Sequence, residues 1–315
     1  MPSSVRLPAT RPASIERMSE AQLQSPPRPT GPTDDEAARE PRSDFVTVIK
    51  PPSRWPRLDL RELWHFRELL ATFVWRDLKV RYKQTFIGVG WALLQPILPT
   101  VVYTIILGKF AKFPSDHLPY PLFAFASVLA WQYFSAATTI ASGSLVSNVG
   151  LVTKVYFPRI LVPLAGVLTP LVDFVLGLFL LVGLMAWYDL WPSATALLGP
   201  LFILLAFATA LGVSLVLSAL NVRYRDIPFV IPVFMQVLTF LSGVQYSLDG
   251  IPSTWRWLLS LNPMTAVVSG WRWAVLDGPA PILGQFLVSL AVGLVLLAGG
   301  IAFFKRAEPR FADTI

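Results

Sequence analysis

The sequence predicts an all-α integral membrane protein with six transmembrane helices. An amphipathic interface helix precedes the first span, and a re-entrant helical hairpin lies between the fifth and sixth. Hydrophobic residues make up 54% of the 315 residues, and the mean hydropathy is +0.57. Charged residues make up 14%, whereas a soluble domain has about 25%. Long apolar stretches approach or exceed the roughly 20 residues that a helix needs to cross hydrocarbon.

Residues 1–53 are predicted to be a disordered N-terminal extension. They contain ten prolines and one aromatic residue, Phe45, and such a composition buries too little apolar surface to offset chain entropy. They have no apolar core segment, so no signal peptide is predicted. Met18 is an alternative start.

Residues 54–87 are predicted to form an amphipathic segment on the cytoplasmic membrane surface. Apolar residues recur at helical spacing at Leu63, Phe66, Leu70, Phe73 and Val74. Two tryptophans suited to headgroup depth and four cations suited to anionic lipid accompany them: Trp64, Trp75, Arg76, Lys79, Arg81 and Lys83. An ordinary juxtamembrane anchor is the alternative. Gly88 and Gly90 are predicted to let the chain turn into the membrane.

The predicted transmembrane domain covers residues 88–304, with spans at about 88–107, 121–142, 160–187, 197–220, 229–248 and 283–304. Two shorter apolar pieces, 253–261 and 264–276, flank Asn262-Pro263. Neither is long enough to cross alone. They are therefore predicted to form a hairpin that enters and leaves on the outer side.

The distribution of cations supports six spans. With that count, fifteen cations from Arg54 onward share one side and four lie on the other. The positive-inside rule makes the richer side cytoplasmic. Both termini, including a tail at 305–315, are then cytoplasmic, and the protein is predicted to be a multi-pass protein of the cytoplasmic (inner) membrane. The net charge of +7 is assigned to the membrane surface rather than to nucleic acid.

Four motifs occur in order along the chain: "RDLKVRYKQTFIGVGWALLQP" (76–96), "NVGLVTKVYFPRILVP" (148–163), "NVRYRDIPFVIPVFMQ" (221–236) and "LNPMTAVVSGWRW" (261–273). Together they resemble the membrane subunit of polysaccharide ABC exporters, which export O-antigen, capsule or teichoic acid chains. The resemblance implies a channel between two copies of the chain, two ATPase subunits that hold ATP and Mg, and a lipid-linked polysaccharide cargo.

The sequence predicts no catalytic, cofactor or metal site in this chain. It contains no G-x-x-x-x-G-K-[ST] loop for ATP phosphates. It has no cysteine and only two histidines, so a metal site built from these residues is not expected. ATP hydrolysis is therefore expected in a separate subunit.

The segment between the second and third spans is predicted to couple the chain to that subunit. The residues expected to contact it are Val152, Lys154, Val155, Tyr156, Phe157 and Arg159. Ser147 and Asn148 are expected helix caps. The alternative is that Lys154 and Arg159 only anchor the loop. The residues alone leave both readings open, and the resemblance favours coupling.

Three further groups carry predictions. Arg223, Arg225 and Asp226 form a second cytoplasmic loop, which either makes local ion pairs or touches the interface helix, or is only a short charged turn that fixes topology. Asp173 is an acid inside a span, predicted to make a structural pair, with a pathway or proton role as alternatives. The candidate channel aromatics, which could instead form an interfacial belt, are Tyr246, Trp255, Trp257, Trp271 and Trp273.

Other functions remain open at this stage. An exporter of a drug, lipid or small molecule would share the fold. An ion-coupled flippase would need several intramembrane ionisable groups, and a membrane glycosyltransferase would need clustered carboxylates or a basic diphosphate site.

Overall fold

The computed structural model describes residues 60–83 and 88–311 of the chain. Every regular element in these ranges is helical, as the composition predicts. The predicted extension at 1–53 and the final tail residues 312–315 lie outside the described part.

The helices follow one another through short connections. The first half contains α1 (Leu60–His65), α2 (Arg67–Lys83), α3 (Val89–Tyr103) with a π-helical continuation over Thr104–Phe110, α4 (Tyr120–Ser147), α5 (Val149–Lys154), α6 (Leu161–Leu168) and α7 (Pro170–Trp187). The second half contains α8 (Gly199–Arg223), α9 (Ile227–Leu241), α10 (Ser253–Leu259), α11 (Pro263–Leu276) and α12 (Leu283–Ala307). Short 3-10 turns lie at Ala194–Leu198, Leu248–Gly250 and Glu308–Arg310.

Prolines mark where several of these helices begin. A proline occupies the first turn of five of them, at Pro121, Pro170, Pro200, Pro228 and Pro263. The ring presets the helical φ, and the missing N–H is one that the first turn leaves without an intrahelical acceptor. Asn262 also caps α11, because its side chain accepts a hydrogen bond from the Met264 N–H at 3.0 Å.

Helix α4 lies at the centre of the bundle. It contacts α3, α6, α7, α8 and α11, and small buried residues such as Ala126, Ala130 and Ala137 line it. Small side chains let neighbouring helix backbones approach closely, which is the main source of packing energy between helices in lipid.

Four helical stretches are long and apolar enough to cross a membrane: Gly90–Phe110, Leu161–Trp187, Ala194–Arg223 and Leu283–Arg310. Two other predicted spans fall on α4, which has 28 residues but is rich in Ala, Ser and Thr, and on α9, which has 15 residues. An integral membrane protein built from helices is therefore confirmed. The count of six spans remains a prediction.

The amphipathic segment is helical, but its apolar stripe faces protein. Phe73 is buried, and Leu63, Phe66, Leu70 and Val74 pack in the same cluster as Leu161 of α6. The expectation that this stripe lies on lipid is corrected, because α6 offers it a matching apolar surface. Trp64 and Trp75 lie on the opposite face, each 70% exposed.

Gly88 has a backbone conformation that suits the predicted turn into the first span. It precedes α3 with φ 54° and ψ −125°, a combination that side-chain-bearing residues rarely adopt. Gly90 lies inside α3 instead.

Helices α8 and α12 pack closely through glycines. A Cβ added at Gly300 would overlap the Gly212 carbonyl, whereas one added at Gly299 would meet no atom within 4 Å.

We predict that Gly300→Ala lowers the free energy of unfolding by about 1–3 kcal/mol through overpacking. The matched variant Gly299→Ala should leave it nearly unchanged. Thermal unfolding in detergent measures both, and equal melting temperatures would contradict this packing.

Candidate transport groove and coupling surface

An open groove of about 460 Å³ runs along one side of the bundle between α3, α4 and α9. Uncharged polar side chains line much of it: Gln95, Gln132, Ser135, Thr139 and Thr239. A neighbouring hollow of about 250 Å³ shares Tyr103 and Thr239 and adds Gln236 and Gln245. Amide and hydroxyl groups are costly against lipid, so polar residues within spans nearly always face protein or a water-filled cavity.

Hydrogen bonds within the chain fix the polar side chains of the groove wall, and several of their acceptor positions stay available. The Gln132 side-chain amide donates to the Gln95 backbone carbonyl at 2.7 Å. The Thr139 and Thr239 hydroxyls donate to carbonyls four residues earlier, Ser135 and Met235, each at 2.8 Å. Each hydroxyl oxygen can still accept hydrogen bonds from a molecule in the groove. These residues were not among the predicted site residues. Their signal in the sequence is the recurrence of uncharged amides within apolar spans.

Asp173 is paired with residues of the helix before the first span. Its Oδ2 lies 2.8 Å from the Arg81 guanidinium, and its Oδ1 accepts a hydrogen bond from the Tyr82 hydroxyl. Burial, followed by the hydrogen bond to Asp173, raises the pKa of Tyr82, so this hydroxyl stays protonated and donates. Arg81 was expected at the lipid surface. It lies instead at the edge of the groove, bound to α7.

The predicted coupling segment has an exposed tip on a buried base. Lys154, Val155 and Tyr156 are exposed, and Tyr156 is 90% exposed. Val152 and Phe157 are buried, and the Phe157 ring lies 5.6 Å from that of Phe73 on α2. The expectation that these two side chains insert into a partner is therefore corrected, because both already fill the chain's own core.

Arg159 and Asn148 also act within the chain. The backbone N–H of Arg159 donates to Glu308 Oε1 at 3.3 Å, and its guanidinium donates to the Glu308 carbonyl. Glu308 in turn pairs with Lys305 at 3.0 Å. Asn148 occupies the N-cap position of α5, but its side-chain amide donates back to the Ser144 carbonyl at 2.8 Å, so it does not cap through its side chain.

The second loop that was predicted to be cytoplasmic is exposed. Arg223, Arg225 and Asp226 are all accessible, and the Arg223 guanidinium lies 5.5 Å from the centre of the Tyr224 ring. Asp226 is the residue immediately before α9. This geometry leaves both readings of the loop, contact or topology signal, open.

The hairpin tryptophans divide into two pairs. Trp255 and Trp257 on α10 are 60% and 48% exposed. Trp271 is a buried core residue 5.4 Å from Phe174, and Trp273 packs edge-on against Phe202. Trp271 is therefore not a channel aromatic in this structure, because it points from α11 into the bundle. The Tyr246 hydroxyl donates to the Phe240 carbonyl at 2.7 Å, where it closes the turn after α9.

A buried charge pair lies near the turn that follows α9, at the end of the groove away from Arg81. Arg272 is 2% exposed and its guanidinium lies 3.8 Å from Asp116 Oδ2. It also donates to the Gly243 carbonyl at 3.0 Å and to Ser127 Oγ at 3.2 Å, and it sits 4.2 Å from the centre of the Phe123 ring. Sequence reasoning counted Arg272 only as an outer cation. The sequence feature that could have indicated burial is the position of Arg272 among the apolar residues of α11.

A bundle of apolar helices with amides and hydroxyls along an open groove on one side is typical of a multi-pass membrane protein of transporter type. The comparisons narrow this class. The chain matches the ABC-2 type transporter family over residues 68–276, and it belongs to that family.

The similarity to individual relatives covers most of the length of each relative. The chain is 30% identical to the O-antigen export system permease protein RfbA of Myxococcus xanthus, over 81% of this chain and 98% of that protein. It is 26% identical to a protein of the same name from Klebsiella pneumoniae, over 80% and 97%. It is 24% identical to the polysialic acid transport protein KpsM of Escherichia coli, over 70% and 89%.

We predict that Arg272→Gln destabilises the chain by about 3–5 kcal/mol, because it leaves Asp116 buried without its cation. The partly exposed pair of Arg76 and Asp77, 2.7 Å apart with side chains 39% and 29% exposed, provides the control. Arg76→Gln should cost less than about 1 kcal/mol. Thermal unfolding in detergent compares them, and an unchanged melting temperature for Arg272→Gln would show that this pair is not structural.

Proposed function

We propose that the chain is the channel-forming subunit of an ATP-driven exporter that moves a lipid-linked polysaccharide, of O-antigen or capsule type, across the cytoplasmic membrane. The names of its relatives support the cargo class. The observation that carries the proposal is the groove lined by uncharged amides and hydroxyls.

The lining suits a sliding sugar polymer. Sugar hydroxyls exchange hydrogen bonds with water, amides and hydroxyls, and a neutral hydrogen bond contributes only about 0.5–1.5 kcal/mol net. Such a wall therefore holds no single sugar position tightly. Tyr103 and Trp131 add aromatic surface at the groove, against which the apolar C–H faces of sugar rings can pack.

A second copy of the chain would close the groove. The groove is open along one side, and α9 beside it exposes a run of apolar side chains: Phe229, Val233, Phe234, Val237 and Phe240. Pairing two such faces would bury this surface and enclose the polar stripes between the copies. In the proposed topology, the coupling tips lie on the cytoplasmic side, where the ATPase subunits would bind.

The energy would come from two ATPase subunits that hold ATP and Mg. The exposed tip from Lys154 to Tyr156 is the part of the coupling segment free to contact them. Its base is fixed to α2 through Phe157 and to the end of α12 through Arg159. A push on the tip would therefore move these helices with it.

We predict that combining Gln95→Leu with Gln236→Leu lowers ATP-driven glycan movement about threefold to tenfold, because two exposed amides no longer replace water around the sugar. Reconstituted vesicles with lipid-linked glycan and the ATPase subunits measure this. The control is Gln285→Leu, an amide that lines a different cavity. Equal losses in both variants would contradict the groove as the path. Transport of a small dye without any glycan would contradict the cargo.

We also predict that Tyr156→Ala weakens association with the ATPase subunit about tenfold or more, as expected for a central interface tyrosine. Co-purification at several concentrations measures it. Tyr224→Ala removes a tyrosine from the other loop, where it is 51% exposed, and should change association little. If only Tyr224→Ala weakens it, the coupling role belongs to the second loop.

A further inference from the structure

Helix α12 is bound at one end to the coupling segment and at the other to the hairpin formed by α10 and α11. It runs without interruption over Leu283–Ala307, which is 25 residues and about 37 Å at the α-helical rise per residue. It contains no proline, whereas α3 contains Pro96 and Pro99 and α9 contains Pro232. Because sharp kinks in helices arise mostly at proline, α12 is suited to move as one body.

The contact with the coupling segment lies just beyond the last turn of α12. Glu308 begins the short turn that continues the helix. Its Oε1 accepts from the Arg159 backbone N–H at 3.3 Å, and its backbone carbonyl accepts from the Arg159 guanidinium. Beside them, the Phe304 and Phe311 rings lie 5.3 Å apart and are buried in the same cluster as Phe157. The base of the coupling segment and the end of α12 therefore form one packed unit.

The contact with the hairpin lies in the first turns of α12. The buried Ser289 hydroxyl donates to the Ser260 carbonyl at 2.6 Å. Ser260 directly follows α10 and precedes α11. One turn earlier, a Cβ added at Gly284 would lie 3.1 Å from the Trp257 ring of α10, so these two helices are in close contact. A hydrogen bond and a packed ring thus join α12 to the hairpin.

Helix α4 is another continuous connection between these regions, but it is held more firmly. It leads into the coupling segment, and its Ser127 accepts from Arg272 of α11 at 3.2 Å. It also contacts α3, α6, α7 and α8, and close packing on all sides opposes its displacement. The main helix contacts of α12 are α8 and α11. Its buried residues are Ser289, Gly293, Gly300 and Phe304, so α12 can shift with the loss of fewer contacts.

We propose that α12 transmits movement of the coupling segment to the hairpin, with Glu308 and Ser289 as positioning residues at its two ends. This rests on the proposed function, in which the ATPase subunits displace the exposed tip at Tyr156. Displacement of the tip moves Glu308 and with it α12, and the Ser289 bond then moves the segment between α10 and α11. ATP binding in the partner subunits is thereby linked to the position of the hairpin.

The test follows the hairpin in the complete complex of this chain with its ATPase subunits. The chain has no cysteine, so Thr254→Cys gives it a single thiol at an exposed position of α10. The rate of maleimide labelling, read from the mass of this chain, is compared with and without ATP. ATP should change this rate about fivefold or more, the usual scale of coupling between distant sites. An unchanged rate would overturn transmission to the hairpin.

Variants at the two ends of α12 test the connection in this labelled background. Glu308→Ala and Ser289→Ala should each reduce the response to ATP about threefold, while association with the ATPase subunits stays the same. Ser269→Ala is the matched control and should respond fully, because the Ser269 hydroxyl donates to the Thr265 carbonyl of its own helix at 2.8 Å. Since both breaks interrupt one helix, the double variant should respond as the more affected single variant does. A loss equal to the product of the two single losses would indicate independent effects and contradict the proposal.

Two further variants separate positioning from general stability. Glu308→Gln keeps a side-chain oxygen for the Arg159 N–H and should retain most of the response, and a Gln variant as impaired as the Ala variant would overturn the role of this contact. If Ser127→Ala removes the response and Ser289→Ala does not, α4 carries the movement instead. Thermal unfolding shows whether each variant folds. Where Glu308→Ala does not fold, the comparison of Ser289→Ala with Ser269→Ala decides.

The two proposals fail separately. Glycan export together with a labelling response that neither end variant alters leaves the proposed function standing and removes the role of α12. The predicted pattern of labelling without any glycan export does the reverse.

Discussion

The ion pair between Arg81 and Asp173 joins the helix before the first span to the core of the bundle, and the arrangement around the groove depends on it. A carboxylate within a span is costly unless a partner offsets its lost hydration. Here the partners come from α2, with Tyr82 as the second donor. The pairing of Asp173 with Arg81 and Tyr82 therefore fixes the position of α2 against α7. It also places a cation beside the amides that line the groove.

Two other contacts complete the attachment of the cytoplasmic elements. Phe73 and Phe157 bring α2 against the base of the coupling segment, and Arg159 bonds that base to Glu308 beyond α12. The exposed tip at Tyr156 is thus carried by a packed cluster that includes Leu145 of α4 and Phe304 of α12. Close packing transmits displacement rather than absorbing it. A displacement of the tip would therefore move α2, and with it the end of the groove at Arg81.

Sequence reasoning predicted the helical membrane class, the turn at Gly88 and the paired helices around Asn262, because hydropathy, glycine and proline act locally. It could not predict which face of a helix meets which neighbour. Periodicity predicted an apolar stripe on α2 that includes Phe73, but either lipid or a neighbouring helix can bury such a stripe. The pairing of Asp173 with Arg81 and the burial of Arg272 beside Asp116 depend on residues about 90 and 160 positions apart in the chain, which a single sequence does not relate. The groove amides carry no charge, and although Gln95 and Gln236 fall within two of the quoted motifs, nothing in those motifs marks them as lining a groove.

The end of the groove near Arg272 is held by different chemistry from the end near Arg81. The turn after α9 is fixed by neutral carbonyls: Gly243 accepts from Arg272, and Gln245 accepts from the Tyr120 hydroxyl at 2.7 Å. Arg272 is almost fully buried with Asp116, so releasing it would strand two charges away from water. The Arg81 and Asp173 side chains are less completely buried, with 27% and 15% of their surface exposed, and Asp173 has Tyr82 as a second donor. Breaking the Arg81–Asp173 pair therefore costs less than breaking the Arg272–Asp116 pair.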